Sequence, residues 1–159
     1  MKLLGGALII LSGLLAGILG AVRLRHRARL LLDLKAMLQR FQTGIRYAAE
    51  SLPEMILDLQ SSRFCRIAER DGEFLTDPAR ALERAGRTLL WDRGDLELYL
   101  NFVAGLGVTD TQGQLEHIGL YASLLEPRLL QAREEAGQKA KISVALGIFA
   151  GTALALLLL

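Results

Sequence analysis

Few side chains in this sequence are of the types that perform catalysis or bind metals. The two histidines, His26 and His117, and the single cysteine, Cys65, lie far apart in the chain. None has a Cys, His or carboxylate set nearby at the spacing typical of a metal site. Glycine patterns that bind phosphates and the serine-hydrolase elbow do not occur. We therefore predict a protein that is not an enzyme and has no catalytic residue, cofactor-binding residue or metal ligand.

The composition limits the class of protein further. The chain has 159 residues, and 19 basic against 17 acidic residues leave a net charge of only +2, so we expect no nucleic-acid partner. A single cysteine excludes an internal disulfide and fits a reducing compartment. The hydrophobic fraction of 52% is high for a soluble protein, and the two apolar ends of the chain account for it.

Four arginines, Arg23, Arg25, Arg27 and Arg29, follow directly after an uncharged apolar run over residues 3–22. About 20 helical residues match the ~30 Å hydrocarbon core of a bilayer. Short segments rich in Lys and Arg stay on the cytoplasmic side of a membrane. The run is therefore predicted to be transmembrane helix 1, with its C-terminal end in the cytoplasm.

The other apolar run, residues 142–159, is bordered by Lys139 and Lys141 and is predicted to be transmembrane helix 2. Both chain ends would then lie outside, with residues 23–141 as a cytoplasmic helical bundle. A cleaved signal peptide is the alternative for the first run, since Lys2 precedes it. The arginine cluster and the lack of a small-x-small cleavage site favour a membrane anchor instead.

Both apolar runs contain small residues at helical spacing, which allow close helix packing in lipid. This pattern is interpreted as a pair of packed membrane helices, or as contact with a partner's membrane helices. The simpler alternative is that glycine is common in membrane segments. The small residues concerned are Gly13 and Gly17 in the first run and Ser143, Gly147, Gly151 and Ala155 in the second.

Apolar residues at helical spacing and the abundance of Leu and Ala predict an all-α fold for the middle of the chain. Residues 23–50 are expected to continue the first helix, with no helix breaker before Gly44, and Pro127 is expected to kink the last helix. Trp91 is expected to be a core anchor and Cys65 a packed thiol. The predicted core stripe of the first helix consists of Leu34, Met37, Leu38, Phe41, Ile45 and Ala48.

Capping residues predict where the later helices begin. Asp77 precedes Pro78, and Pro53 is followed by Glu54, so each proline marks the first turn of a helix. A helix is expected to end near residues 105–107, where glycines suit a C-cap. The pair Thr109 and Gln112 is interpreted as a capping box at the start of the last helix.

Residues 106–118 carry a pattern, LG-x-x-D-x-x-x-Q followed by His-Ile, that resembles the stage III sporulation protein AB family of endospore-forming bacteria. The resemblance extends over essentially the whole chain, and Pro127 is a departure from it. Its residues here are Leu106, Gly107, Asp110, Gln114, His117 and Ile118; Leu34, Lys35, Leu38, Ile45, Tyr47, Leu52 and Glu54; and Lys2, Leu3, Gly5, Leu8 and Ile9.

The resemblance implies a platform protein in the mother-cell membrane around the forespore. Its implied partners are a stage III sporulation protein AA-type ATPase and the other subunits of a secretion-like channel, besides membrane lipids. It also implies a cytoplasmic bundle like that of type II secretion and type IV pilus platform proteins. The motif residues are candidates for partner contact, and self-association stays open.

Their local roles are expected to be structural first. Asp110 would cap its helix or complement the helix dipole, Gln114 would bond a neighbouring loop, and His117 would be a satisfied core residue. The alternative function is a membrane-anchored helical scaffold or regulator unrelated to secretion.

Overall fold

The computed structural model describes residues 2–48, 50–139, 142, 145–146, 148–150 and 152–153. This part of the chain is helical and contains no strand, so the all-α prediction is confirmed. Two π-helical turns, Gly44–Ala48 and Glu135–Lys139, follow the first and the last α-helix. The α-helices are α1 (Lys2–Thr43), α2 (Leu52–Asp58), α3 (Arg63–Glu69), α4 (Pro78–Leu89), α5 (Arg93–Ala104) and α6 (Thr111–Glu134).

The predicted starts of α2 and α4 agree with the structure. Asp77 caps α4 by accepting a hydrogen bond from the Arg80 amide at 2.9 Å. The amide of Ser51 donates to Glu54 at 2.7 Å, which closes the first turn of α2. Helix α5 ends at Ala104, within one residue of the predicted glycine-rich stop.

The chain forms two compact units, Arg29–Leu129 and a second unit made of Met1–Ala28 with Leu130–Leu159. In the unit Arg29–Leu129, the predicted stripe of α1 is buried as far as Phe41. Ala48 is exposed, so the stripe was predicted one turn too long. The reason is the π-helical turn Gly44–Ala48, whose wider winding breaks the 3.6-residue period of the stripe.

Helices α3, α4 and α5 pack around Tyr99. Its ring stacks on Phe64 with 4.9 Å between centroids, and its hydroxyl donates to the Leu82 carbonyl at 2.9 Å. Gly86 of α4 lies under the ring, where an added Cβ would be 2.2 Å from Tyr99 Cε1. Trp91, in contrast, is 45% exposed, so the prediction that it anchors the core is wrong. Leu90 fills the core at the end of α4 instead, because the chain has already left the helix there.

In the other unit, Arg27 is buried and donates to Glu135 at 3.1 Å. Gly17 is buried and Gly13 half-buried, whereas Ser143, Gly147, Gly151 and Ala155 lie outside the described residues. Among the residues that the structure describes, no helix combines the length and apolar character needed to cross a membrane.

Candidate functional site

The candidate site is the loop between α5 and α6 together with the start of α6, here called the motif loop (residues 105–114). Asp110 directly precedes α6, and its Oδ1 accepts the Gly113 amide at 2.9 Å. The expected capping role of Asp110 is thus confirmed. The capping box predicted for Thr109 and Gln112 is wrong, since Gln112 bonds Glu116 at 2.9 Å instead. Thr109 is one residue too early for the cap, because Asp110 occupies that position.

Gln114, in the first turn of α6, bonds the residues of the motif loop that precede the helix. Its side-chain Nε2 donates to the Gly105 carbonyl and to Thr109 Oγ1, both at 3.0 Å. Its Oε1 accepts the Gly107 amide at 3.1 Å. Gly107 has a φ of +75°, a conformation that side-chain-bearing residues rarely adopt. Gln114 is only 7% exposed, so its amide holds this unusual loop conformation, as the sequence predicted.

His117 lies one turn further along α6. Its Nε2 is 2.8 Å from the Phe102 carbonyl oxygen, and because a carbonyl can only accept, Nε2 carries the proton. The imidazole stacks on Phe102 and meets Tyr121 at a centroid distance of 4.8 Å. Gly105 leaves room for this ring, since an added Cβ would lie 2.1 Å from His117 Cε1. His117 is therefore a bonded, half-buried residue of the α5–α6 contact.

A cleft of ≈270 Å³ separates the motif loop from the chain around the start of α2. It brings together Leu52 with Leu106, Gly107 and Gln114, residues of two family patterns that are far apart in the sequence. The remaining walls are hydrophobic side chains and hydroxyls with one carboxylate, and neither a histidine nor a cysteine is among them. The other lining residues are Ile45, Glu50, Ser51, Met55, Thr109 and Thr111.

Four candidate residues do not line this cleft: Asp110 and His117, described above, and Tyr47 and Glu54. Tyr47 is 79% exposed on the π-helical turn. Glu54 caps α2 through the amide and the hydroxyl of Ser51, both at 2.7 Å, and these hydrogen bonds lower the pKa of its carboxyl. Glu54 instead borders a neighbouring groove of ≈440 Å³ with Glu50, Leu57 and Asp58.

Arg40 is a residue whose role the sequence did not reveal. It donates through Nη2 to Glu50 at 3.1 Å and through Nε to Asp58 at 3.2 Å. Hydrogen bonds raise the pKa of the Arg40 guanidinium above its ordinary value, the bond to Asp58 more than the bond to Glu50. Glu50 and Asp58 lie 10 and 18 residues after Arg40, beyond the end of α1 and outside the three- or four-residue spacing of neighbours on one helix. No local sequence pattern therefore indicated the cluster.

The chemistry available here is that of a contact surface. In the part of the chain that the structure describes, no three His, Cys, Asp or Glu side chains are placed to hold a metal ion. Burial raises the pKa of the Cys65 thiol to about 12, which leaves it protonated and unreactive near neutral pH. The Gln114 side chain holds Gly107 in the lining of the cleft, and the apolar part of that lining consists of Ile45, Leu52, Met55 and Leu106.

Comparison with known proteins agrees with the resemblance seen in the sequence. A family model described as stage III sporulation protein AB matches residues 2–159. The stage III sporulation protein AB of Bacillus subtilis (strain 168) is 26% identical over 170 aligned residues, covering 100% of this chain and 99% of that protein. No solved structure matches the chain significantly.

Proposed function

The chain belongs to the stage III sporulation protein AB family, and on that premise we propose that it is a non-enzymatic membrane platform of a secretion-like channel. Family membership supports a role in sporulation. The finer proposal is that the protein couples a cytoplasmic AA-type ATPase to the channel in the mother-cell membrane around the forespore. The observation that carries it is the match over the whole chain, including both apolar ends.

Attachment to the membrane is part of the proposal. It is supported by the uncharged run over residues 3–22 and by the arginines that follow it. The ion pair between Arg27 and Glu135 joins the region after the first run to the region before residues 142–159. A chain tied in this way can hold both predicted membrane segments at one place on the cytoplasmic face.

A platform also needs a surface that keeps its shape. The Gln114 side chain uses both its amide NH₂ and its carbonyl to hold the motif loop, and Asp110 caps the adjoining helix. These bonds form the cleft before any partner arrives, which reduces the conformational cost of binding. We propose the cleft between the motif loop and α2 as the surface that contacts the ATPase.

The test uses the full chain in an endospore-forming host that lacks its own copy of the family gene. Thr111→Arg places a bulky cation at the cleft, where Thr111 is exposed. We expect the variant to accumulate in membranes as the unaltered chain does. In a pull-down it should retain less of the ATPase, and in the host it should restore fewer heat-resistant spores.

The matched control is Thr88→Arg, the same substitution at an exposed threonine of α4 away from the cleft. It should retain ATPase and restore spores normally. If the unaltered chain retained no ATPase in any nucleotide state, the coupling role would be refuted, and restored sporulation would then favour a scaffold unrelated to secretion.

A further inference from the structure

The cleft lies next to an acidic groove lined by Glu50, Glu54, Leu57 and Asp58, since Glu50 borders both. We infer that this surface binds a basic amphipathic helix of the partner, which inserts an apolar side chain into the cleft and sets lysines or arginines against the groove. This inference rests on the proposed function and adds to it the chemical class of the segment recognised.

The charge of the groove favours a cationic partner. Its lining residues carry three carboxylates, Glu50, Glu54 and Asp58, and no basic side chain. Arg40 forms ion pairs with both Glu50 and Asp58 and offsets one of these charges. The three carboxylates together keep an excess of negative charge, and Glu54 and Asp58 are exposed. This charge attracts basic residues and raises their association rate.

The spacing of the acids favours a helix as the occupant. Glu54 and Asp58 are four residues apart on α2, so they are neighbours on one face of that helix. Basic residues at the same separation on a partner helix can face both carboxylates at once. Leu57, which is exposed between them, supplies apolar contact for the aliphatic stems of such residues.

The cleft provides the apolar half of the site. Ile45, Leu52, Met55 and Leu106 line a volume of ≈270 Å³, which accommodates a leucine- or phenylalanine-sized side chain. Thr109 and Thr111 at its edge are exposed and offer hydroxyls to the partner backbone. An apolar anchor surrounded by polar contacts is the usual arrangement at the centre of a protein interface.

The experiment measures association of the AA-type ATPase with the full chain in detergent micelles at several salt concentrations. In the test variant Glu54→Gln is combined with Asp58→Asn, which removes two charges but keeps an acceptor for Ser51. We expect the variant to associate about threefold to tenfold more slowly at low salt, with a weaker salt dependence. The control combines Glu69→Gln with Glu83→Gln, the same charge change on α3 and α4.

Each outcome is decisive. Slower association of the test variant alone supports the inference. If the unaltered chain binds the ATPase and the test variant binds equally fast with the same salt dependence, the inference is overturned while the proposed function stands. A changed oligomeric state of the variant with unchanged ATPase binding would assign the surface to a second copy and also overturn it. Failure of the unaltered chain to bind would refute both proposals.

Discussion

Individual side chains of the family pattern act here mainly through the backbone. Gln114 bonds Gly105 and Gly107, Asp110 bonds Gly113, and His117 bonds the Phe102 carbonyl. The bonds of Gln114 and Asp110 satisfy main-chain groups of the loop and of the helix start, whereas the Phe102 carbonyl also accepts the Gly105 amide at 3.2 Å. At residue scale, the polar motif residues therefore serve to build one loop. The cleft beside that loop is the surface left for binding a partner.

Replacing Gln114 with alanine tests this role. The substitution leaves the Gly107 amide and the Gly105 carbonyl without their side-chain partner, so the free energy of unfolding should fall by about 1–3 kcal/mol. Gln112→Ala, on the same helix turn but bonded only to exposed Glu116, should change it by less than about 0.5 kcal/mol. Equal effects of both variants in chemical denaturation of the full chain would contradict the assigned role.

Cys65 predicts a pH dependence of stability. Burial raises its pKa from 9.0 to about 12 in the folded chain, so the folded thiol stays protonated where the unfolded one ionises. Its contribution to stability is complete below the unfolded pKa and is lost as the pH rises through the window from 9.0 to about 12.

Denaturation of the unaltered chain and of Cys65→Ala at about pH 8 and about pH 10 checks this. The free energy of unfolding should fall with pH more steeply in the unaltered chain, by up to roughly 1.4 kcal/mol per pH unit. The stability advantage of the unaltered chain should shrink at the higher pH. Burial also raises the pKa of Tyr99, but that residue is present in both proteins. Parallel pH profiles would rule out the buried, protonated thiol.

At the scale of elements, the contact between α4 and α5 depends on a small residue facing a large one. Gly86 allows the Tyr99 ring to lie against the backbone of α4, which lets its hydroxyl reach the Leu82 carbonyl. A glycine within a helix lowers helix stability by about 1 kcal/mol relative to alanine. The close packing of Tyr99 offsets that cost here.

Gly86→Ala should therefore destabilise the protein. Its Cβ would meet the Tyr99 ring at 2.2 Å, and relieving that overlap should cost about 1–3 kcal/mol in a thermal or chemical unfolding experiment. Gly119→Ala on α6 is the matched control, because an added Cβ there meets nothing within 4 Å. It should stabilise the helix by up to about 1 kcal/mol, and the same sign for both variants would contradict the packing argument.

For the whole molecule, the proposed topology places the ends of the chain outside and the middle in the cytoplasm. Cys65 cannot report on this because its thiol is buried. Leu75, which is 85% exposed in the turn before α4, is a better position for a reporter cysteine. An impermeant maleimide added to intact cells should label a cysteine placed after residue 159 but label Leu75→Cys only after permeabilisation. The reverse pattern would overturn the orientation.

The sequence by itself determined the helical class and most helix starts. Capping at Asp77, Glu54 and Asp110 involves residues three positions apart, so local sequence contains the whole interaction. The family pattern likewise indicated where Gln114 would act, and the whole-chain match confirmed the family. The predicted membrane segments stay predictions.

Only the tertiary structure decided which residues surround the cleft beside the motif loop. Helix packing brings Leu52 and Leu106 to the same cleft. It also brings Arg40 to Glu50 and Asp58. The exposure of Trp91 and Ala48 also depends on where α4 ends and on the π-helical turn after α1. Such contacts join residues with no fixed sequence separation, because helix packing rather than local propensity sets their distances.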